Sequence, residues 1–254
     1  MTTALPAIRV ESMGKRFSEG GPLVLDDVTL SIEPGEFVCL LGASGCGKST
    51  LLNIIAGLEL PTTGSVTVAS GNAAVMFQDA ALFPWLSARK NVELALSLRG
   101  VPRDQRRGQA LELLDIVSLV DAADKRPHEL SGGMRQRVAL ARSLAQDRAV
   151  LLMDEPFAAL DAITRDLLHE QLELVWRRTG RTIVFVTHNV REAARLGQRV
   201  LLMSSRPGRI THEWRIADTG PRRIESPQVA ELAIEITDQL RKEIRRNARS
   251  HAAA

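Results

Sequence analysis

The sequence predicts an α/β domain whose parallel strands are joined by crossover helices and whose chain is interrupted by a helical segment. From Ala149 onward, apolar strand-like runs alternate with helix-forming stretches, a pattern typical of a parallel sheet. From Ala81 to about Pro127, leucines at helical spacings replace the strand pattern. A length of 254 residues suits one large domain with such an insertion.

Short extended segments dominate the first third of the chain, where glycine and proline turns separate the apolar runs. Strands are predicted at 8–12, 30–32, 37–41, 65–68 and 73–77. One helix is predicted at 48–56, and Gly57 is expected to end it because glycine readily adopts the left-handed conformation that follows a helix.

Helices and strands alternate in the rest of the chain. A helix at 134–145 closes the inserted segment. The predicted strands and helices that follow are 150–153, 163–178, 183–186, 190–196 and 200–203. Four apolar residues of the tail after Pro227 share one helical face, so the tail is expected to pack back on the domain; they are Val229, Leu232, Ile236 and Leu240.

The composition is that of an ordinary globular protein in a reducing compartment. Apolar residues make up 44% of the chain, yet no apolar run approaches the roughly 18 residues that span a bilayer. Cys39 and Cys46 are the only cysteines, so no disulfide framework is predicted.

Arginine supplies most of the positive charge, but the formal net charge is only +3. The basic residues cluster at 103–107, 177–181 and 241–246. Surfaces that bind single-stranded nucleic acid interleave aromatic residues for base stacking, and these clusters have none. They are interpreted as solvated helix faces, and binding to nucleic acid is not expected.

A phosphate-binding loop connects the strand at 37–41 to the helix that follows it, and its sequence matches the pattern GxxxxGK[ST]. Its residues are Gly42, Ala43, Ser44, Gly45, Cys46, Gly47, Lys48, Ser49 and Thr50. Glycines let backbone amides approach phosphate oxygens. Lys48 is expected to reach the terminal phosphates and the Ser49 hydroxyl to ligate Mg²⁺. The loop predicts binding of a nucleoside triphosphate and leaves open which process uses it.

Two carboxylates, Asp154 and Glu155, end the apolar strand at 150–153. Ligands of parallel sheets bind at the carboxyl ends of the strands, so these carboxylates are expected beside the phosphate loop. Asp154 is suited to hold Mg²⁺, usually through water, and Glu155 to polarise the attacking water.

Two further polar residues follow strands that are expected to end at the same edge. His188 follows the strand at 183–186, which places it where it can contact the γ-phosphate. Gln78 follows the strand at 73–77, at the junction with the helical insertion. Its amide could bond to the metal or to the attacking water, and so report the state of the nucleotide to the insertion.

A second candidate anion site, formed by Ser131, Gly132 and Gly133, opens the helix predicted at 134–145. A helix start offers unpaired N–H groups and a partial positive charge, so it suits a phosphate. Two such helix starts in one chain either bind the same nucleotide together, or one of them completes a nucleotide site on another copy of the chain.

In this order, the segments resemble the nucleotide-binding subunit of ATP-binding cassette (ABC) transporters over essentially the whole chain. The matching pieces are the phosphate loop at 42–50, Gln78, the signature segment at 130–137, the acidic strand at 149–155, Leu160-Asp161 and His188. Phe17 stands where this family places an aromatic residue that stacks on adenine.

The resemblance implies a P-loop NTPase of the ABC ATPase type. Its α/β fold has a mixed sheet core, an N-terminal antiparallel β-subdomain and an inserted helical subdomain. The chain would be a single ABC ATPase domain, with a nucleotide-binding core at 1–80 and 149–226, a helical subdomain at 81–148 and a helical tail at 227–254.

The resemblance also implies an activity shared between two copies of the chain. Each ATP, with Mg²⁺, would lie between the phosphate loop of one copy and the 131–133 triplet of the other, near Asp161 at the cross-dimer contact. Hydrolysis would drive transmembrane permease subunits that dock near Gln78. The complex would lie at the cytoplasmic face of the bacterial inner membrane and receive solute from a secreted binding protein.

Within the family, several segments resemble the nitrate, sulfonate and taurine importer branch; they are 77–79, 82–86, 130–137, 154–161 and 203–209. Importers of other solutes, such as a thiamine-precursor pyrimidine, are an alternative because the ATPase does not touch the solute. A soluble ABC ATPase acting on nucleic acid or ribosomes is a further alternative. It is disfavoured because the chain has one phosphate loop, no heptad arm and no cysteine cluster.

Three residues depart from the commoner residues of the family. Met134 replaces a glutamine directly after the triplet that contacts phosphate. Ala159 lacks a hydroxyl near the cross-dimer contact, which would weaken coupling. Phe17 can stack on a base but cannot donate a hydrogen bond to it, so loose base selectivity is expected.

Overall fold

The computed structural model describes residues 5–69, 71–217, 220 and 222–252, with the backbone alone for 247–252. The outermost residues of the predicted core and tail, 1–4 and 253–254, lie outside the described residues. The strands of the described part are numbered β1 to β9: Ile8–Lys15, Leu25–Ile32, Phe37–Gly42, Thr63–Val68, Ala74–Met76, Val150–Asp154, Thr182–Val186, Arg199–Met203 and Ile210–Arg215. Its α-helices are numbered α1 to α7: Lys48–Ile55, Ala88–Leu98, Arg103–Ile116, Gly132–Ala145, Ala162–Thr179, Val190–Leu196 and Pro227–Ala252.

The larger sheet has six strands in the order β5-β6-β7-β3-β8-β9. The first five are parallel, and β9 pairs antiparallel with β8. Strands β3, β7 and β8 are buried along their whole length, as expected for parallel strands covered on both faces. Asp154 pairs in register with Val186, so the carboxyl ends of β6 and β7 lie side by side.

The smaller sheet is antiparallel, in the order β2-β1-β4. Its apolar face packs with Leu51 and Leu52 of α1 and with one face of the larger sheet. The inserted helices α2, α3 and α4 bury Val92, Leu114 and Leu140 in the core on the opposite face. The fold is thus the predicted α/β combination of a mixed sheet, an N-terminal antiparallel sheet and an inserted group of helices.

Most predicted elements are present, with shifted ends. The strand predicted at 73–77 is shorter because Phe77 leaves the sheet and is half exposed. The helix predicted to start at Met134 starts two residues earlier, since the Ser131 hydroxyl caps it by accepting a hydrogen bond from the Met134 N–H at 3.2 Å. Strand β9 is not predicted, because its residues are only partly buried and its pairing with β8 is what extends it.

The prediction that the tail packs back on the domain is confirmed. Val229 and Ile236 of α7 are fully buried in the core, where α7 packs against α6, and Leu232 and Leu240 pack against the same core. This burial explains why a helix with an otherwise polar sequence is stable.

Candidate functional site

The phosphate loop has a backbone that requires glycine. Gly45 and Gly47 have φ angles of 74° and 102°, in the left-handed region. A Cβ atom at Gly47 would lie 2.6 Å from Leu25 Cδ2. Strand β3 enters this turn and α1 leaves it, so the N-terminus of α1 faces the concavity of the loop.

Lys48 lies at the first position of α1 with its side chain folded into the loop. It is 5% exposed, and its Nζ donates to the carbonyl oxygens of Gly42 at 2.9 Å and Ala43 at 3.1 Å. A nearly buried ammonium group beside a helix N-terminus creates a positive potential that favours an anion. The loop and its lysine therefore fit a phosphate group.

A cleft of about 380 Å³ opens over this loop. It is lined by Val24, Ser44, Gly45, Gly47, Lys48, Ser49, Thr50, Gln78, Asp154 and Glu155. The structure thus brings Gln78 and both carboxylates to the phosphate loop, although they lie far from it in sequence. Val24, at the approach to β2, is a lining residue that the sequence analysis missed, because no local motif marks it.

The carboxylate and the hydroxyl suited to a metal are adjacent. The Ser49 side chain hydrogen-bonds to Asp154, and burial raises the pKa of Asp154, an effect that Ser49 and the nearby Lys48 charge oppose. Both groups are hard oxygen ligands of the kind that Mg²⁺ prefers. Among the described residues, no group of three or more His, Cys, Asp or Glu forms a metal site. A Mg²⁺ ion here would therefore take further oxygens from a bound phosphate and from water.

Glu155 and His188 contact each other directly. His188 Nδ1 lies 2.8 Å from Glu155 Oε2, although the two residues follow different strands. Glu155 has a φ of 44°, unusual for a residue with a side chain, and its N–H donates to Val186 O at 3.0 Å. His188 does not line the phosphate cleft; it lines a small neighbouring cavity that Glu155 also borders.

The 131–133 triplet is tightly packed against the start of α5. A Cβ atom at Gly133 would lie 2.3 Å from Thr164 Cγ2, and one at Gly132 would lie 3.4 Å from Leu160 Cδ2. Asp161 caps α5, with its Oδ1 accepting from Thr164 N at 2.9 Å. Neither the triplet nor Asp161 lines the phosphate cleft of the same chain.

Helix α4 holds the loop that follows β5. Gln136 Nε2 donates to the carbonyl oxygen of Gln78 at 2.8 Å, and Arg142 donates to the carbonyl oxygens of Ala80 and Ala81 at 2.8 and 2.7 Å. The sequence analysis included Gln136 in the signature segment at 130–137 without assigning it this contact, and it missed Arg142; the place of both on the helix that the triplet opens was the available signal. These bonds join the Gln78 segment to the inserted helices.

Phe17 is 62% exposed, and one of its faces is covered by a cation. Lys15 Nζ lies 5.0 Å from the ring centroid, within the range of a cation–π contact. The same ammonium group donates to Glu59 Oε2 at 2.6 Å and to Leu60 O at 2.8 Å, so its position is fixed. The sequence analysis missed Lys15, because no local motif marks it.

An apolar groove of about 480 Å³ lies between the end of β5 and helix α2. Its lining combines exposed apolar side chains with a basic rim: Val75, Phe77, Ala81, Phe83, Leu94, Ala95, Leu98, Arg99, Arg142, Gln146 and Arg148. Arg142 belongs both to this groove and to the contacts that hold the Gln78 segment.

A domain built in this way is a nucleoside-triphosphate-binding protein of the P-loop class. The model of the ABC transporter family matches residues 25–158, more than half of the chain. The chain therefore belongs to the ABC transporter family, and it is an ATPase that hydrolyses ATP to drive transport.

Two similar relatives are import proteins. The nitrate import ATP-binding protein NrtD of Synechocystis is 47% identical over 211 residues, which cover 80% of this chain and 78% of that protein. The taurine import ATP-binding protein TauB of Roseobacter denitrificans is 47% identical over 205 residues, covering 77% of this chain and 76% of that protein.

Similar solved structures share the fold. A dimeric post-hydrolysis state of the ATP-binding cassette MJ0796 with ADP and phosphate has a TM-score of 0.72 and 34% identity, covering 83% of this chain and 99% of that chain. CbiO1 from Clostridium perfringens, part of an ABC transporter complex, has a TM-score of 0.76 and 26% identity, covering 83% of this chain and 88% of that chain. In the described part of this protein, no helix is both long and apolar enough to cross a bilayer.

Proposed function

We propose that this protein is the ATP-hydrolysing subunit of an importer for a small solute such as nitrate, a sulfonate or taurine. The observation that supports it most directly is 47% identity, over about four fifths of the chain, to a nitrate importer ATPase and, over a similar share, to a taurine importer ATPase. The solute class depends on this similarity alone, because an ATPase subunit of this kind does not contact the solute.

In this proposal, the residues that bind ATP are those of the phosphate loop at 42–50, with Phe17 stacking on the base. Lys48 neutralises the terminal phosphates, and Ser49, Gln78 and Asp154 would hold Mg²⁺ directly or through water. When bound, Mg²⁺ would offset the charge of the phosphate oxygens. The open cleft and the positive potential of the loop support this assignment.

Glu155 is the proposed general base. Its carboxylate takes a proton from the water that attacks the γ-phosphate, and Gln78 helps to orient that water. His188 lies 2.8 Å from Glu155, which holds its ring in place. In this proposal His188 contacts the γ-phosphate of bound ATP. The left-handed backbone of Glu155 fixes the direction of its side chain relative to the loop.

The proposed active unit is a homodimer with two shared sites. The triplet Ser131, Gly132 and Gly133 does not line the cleft of its own chain, while its helix start is suited to an anion. A second copy, placed head to tail, would bring this helix start and Asp161 to the ATP bound by the first. The dimeric state of the similar cassette structures supports this arrangement.

Membrane permease subunits are the proposed partners for the apolar groove beside β5, and a secreted binding protein would deliver the solute to them. The groove exposes Phe83 and Leu98 and borders the loop of Gln78. A helix docked there would be displaced when Gln78 responds to the nucleotide. In this proposal the protein would lie peripherally at the cytoplasmic face of a bacterial inner membrane. The helical subdomain at 81–148 would move against a core of 1–80 and 149–226, with a helical tail at 227–254.

The proposal is tested by uptake of labelled solutes in cells that lack this protein. Uptake of nitrate, taurine or an alkanesulfonate should be lost, restored by the wild-type protein and not by Glu155→Gln. Glu170→Gln, which changes an exposed carboxylate on α5, is the matched control and should restore uptake. Unchanged uptake of all three solutes would contradict the proposed solute class. Loss of pyrimidine uptake instead would reassign the solute class to a pyrimidine.

A further inference from the structure

Behind the contact between Glu155 and His188, a buried carboxylate holds the loop that carries His188. Glu192 on α6 is 5% exposed, and its Oε2 accepts a hydrogen bond from the Thr187 hydroxyl at 2.6 Å. Thr187 is itself buried and directly precedes His188. The position of His188 therefore depends on a contact made by its neighbour.

The other oxygen of Glu192 faces an arginine that holds the second loop. Arg165 Nε lies 3.5 Å from Glu192 Oε1. The same guanidinium donates to the carbonyl oxygens of Phe157 at 3.3 Å and Leu160 at 2.5 Å. Both carbonyls belong to the loop between β6 and α5, which begins with Glu155. Glu192 and Arg165 thus connect the two loops that carry the contacting pair.

A small cavity separates the loops where this connection is made. Its volume is about 30 Å³, and its walls include Glu155, His188, Thr187, Glu192 and Arg165. A cavity of this size admits a water molecule but no side chain. The loops are therefore not packed against each other here, and the spacing between them depends on the polar contacts that bridge the cavity.

We propose that Glu192 and Arg165 are positioning residues for ATP hydrolysis, whose ion pair sets the distance between the loop of Glu155 and the loop of His188. This inference depends on the proposed roles of Glu155 and His188. Neither Glu192 nor Arg165 lines the phosphate cleft, so they act through the loops and not on the nucleotide.

The same ion pair links the hydrolytic residues to the proposed dimer contact. Leu160, whose carbonyl oxygen accepts from Arg165, precedes Asp161 and lies against Gly132. A change in the loop at the dimer contact would therefore be transmitted through Arg165 and Glu192 to Thr187. The pair couples closure of the dimer to the placement of His188.

Steady-state hydrolysis by the full-length protein, measured against ATP concentration, tests the assignment. Glu192→Gln keeps the shape of the side chain and removes its charge. It should lower kcat about tenfold and leave KM for ATP within about twofold, because positioning of the reacting groups is lost while the binding loop is intact. Asp166→Asn is the matched control; this carboxylate contacts Arg195 at 3.3 Å and should be replaceable with unchanged kcat.

A second pair of variants tests the same connection without changing a charge. Thr187→Val keeps the branched shape of the side chain and removes the hydroxyl, which donates to Glu192 and accepts from the Asn189 N–H at 2.9 Å. It should lower kcat without raising KM, and Thr187→Ser should restore kcat because it restores the hydroxyl. A role in stability alone predicts a lower melting temperature for Thr187→Val at unchanged kcat, and that result would overturn the proposal.

A double-mutant cycle separates this proposal from the proposed function. Combining Glu192→Gln with Arg165→Gln should cost little more kcat than the worse single variant, because both remove the same contact. Fully multiplicative losses would refute the pairing.

If Glu155→Gln and His188→Ala lose hydrolysis while Glu192→Gln and Thr187→Val do not, the proposed site stands and the positioning role is wrong. If Glu155→Gln and His188→Ala both hydrolyse normally, the proposed catalytic roles themselves fail.

Discussion

Glu155 Oε2 and His188 Nδ1 lie 2.8 Å apart, and this contact joins the ends of two neighbouring parallel strands. The side chain of Glu155 is 22% exposed and that of His188 is 59% exposed, so the carboxylate is the more enclosed member. An enclosed carboxylate held by a histidine is well placed to accept a proton from a bound water. The contact also brings together two residues that are separated by 33 positions in the sequence.

Replacing the proposed base tests its role in hydrolysis. Glu155→Gln should lower steady-state ATP hydrolysis at least about a hundredfold, because the amide cannot accept the proton of the attacking water. It should still bind MgATP and should form a longer-lived dimer, which analytical ultracentrifugation with MgATP would detect. Unchanged hydrolysis would remove Glu155 from the base role, and Glu170→Gln serves as the exposed control.

Lys48 is predicted to be essential for nucleotide binding. Lys48→Ala removes the ammonium group that lies on the loop carbonyls, so the affinity for ATP should fall at least about tenfold, the loss of a charge-assisted contact to phosphate. Equilibrium binding of a fluorescent ATP analogue measures this loss. Lys90→Ala, on the exposed face of α2, should bind normally. Normal affinity in Lys48→Ala would contradict the assignment of the loop.

Phe17 is predicted to hold the base by stacking alone. Phe17→Ala should raise KM for ATP about tenfold, since a base stacked on an aromatic ring contributes about 1–3 kcal/mol. KM values for ATP and GTP should lie within about threefold of each other in the wild-type protein, because a stacking ring does not read base edges. Ile234→Ala, an exposed apolar residue on α7, is the control. An unaltered KM in Phe17→Ala would show that the base lies elsewhere.

Those features of the site that depend on local sequence could be predicted. The loop around Lys48 follows a pattern in consecutive residues, and its glycines and flanking elements are all within one strand–turn–helix unit. Asp154 and Glu155 could be placed beside it because strands of a parallel sheet end at one edge. The α/β fold and the inserted helices could be predicted from the periodicity of the apolar residues alone, because strands and helices repeat them at different spacings.

Contacts between distant segments could not be predicted in this way. Val24 lines the cleft and Lys15 covers Phe17 because the smaller sheet brings them there, and neither has a sequence pattern of its own. The connection from Thr187 through Glu192 to Arg165 involves two helices and the loop that follows β7. Strand β9 was missed because an edge strand with half-buried residues lacks the continuous apolar run of a central one.

His169 predicts a loss of stability at mildly acidic pH. It is fully buried among Phe157 and Phe185, and burial, together with the nearby charges of Arg195 and Arg165, lowers the pKa of its imidazole to about 3. The unfolded state therefore binds a proton below about pH 6.5 that the folded state does not bind until about pH 3. The stability from neutral His169 is complete above about pH 6.5 and falls by up to about 1.4 kcal/mol per pH unit below it.

Urea unfolding at pH 7.5 and pH 5.0 measures this effect. The free energy of unfolding of the wild-type protein should fall by about 2 kcal/mol more than that of His169→Gln over this interval. His128→Gln, which changes an exposed histidine, should behave as the wild-type protein does. Equal pH dependence in wild type and His169→Gln would show that His169 is not held neutral by burial.

The central claim is that each ATP site is shared between two copies, and hydrolysis by mixed dimers tests it most directly. Lys48→Ala inactivates the phosphate loop of the copy that carries it. Ser131→Arg blocks the triplet that its copy presents to the partner. Lys48→Ala alone should bind ATP poorly, and Ser131→Arg alone should dimerise poorly, so each should be inactive. A mixed dimer, however, contains one site with both an intact loop and an intact triplet.

Equal amounts of the two variants should therefore regain hydrolysis, up to about a quarter of the wild-type rate, since half of the dimers are mixed and half of their sites are intact. Two copies of Lys48→Ala that differ only in a purification tag provide the control and should stay inactive. If the mixture is as inactive as each variant alone, the triplet does not complete the site of a partner, and the shared-site account is wrong.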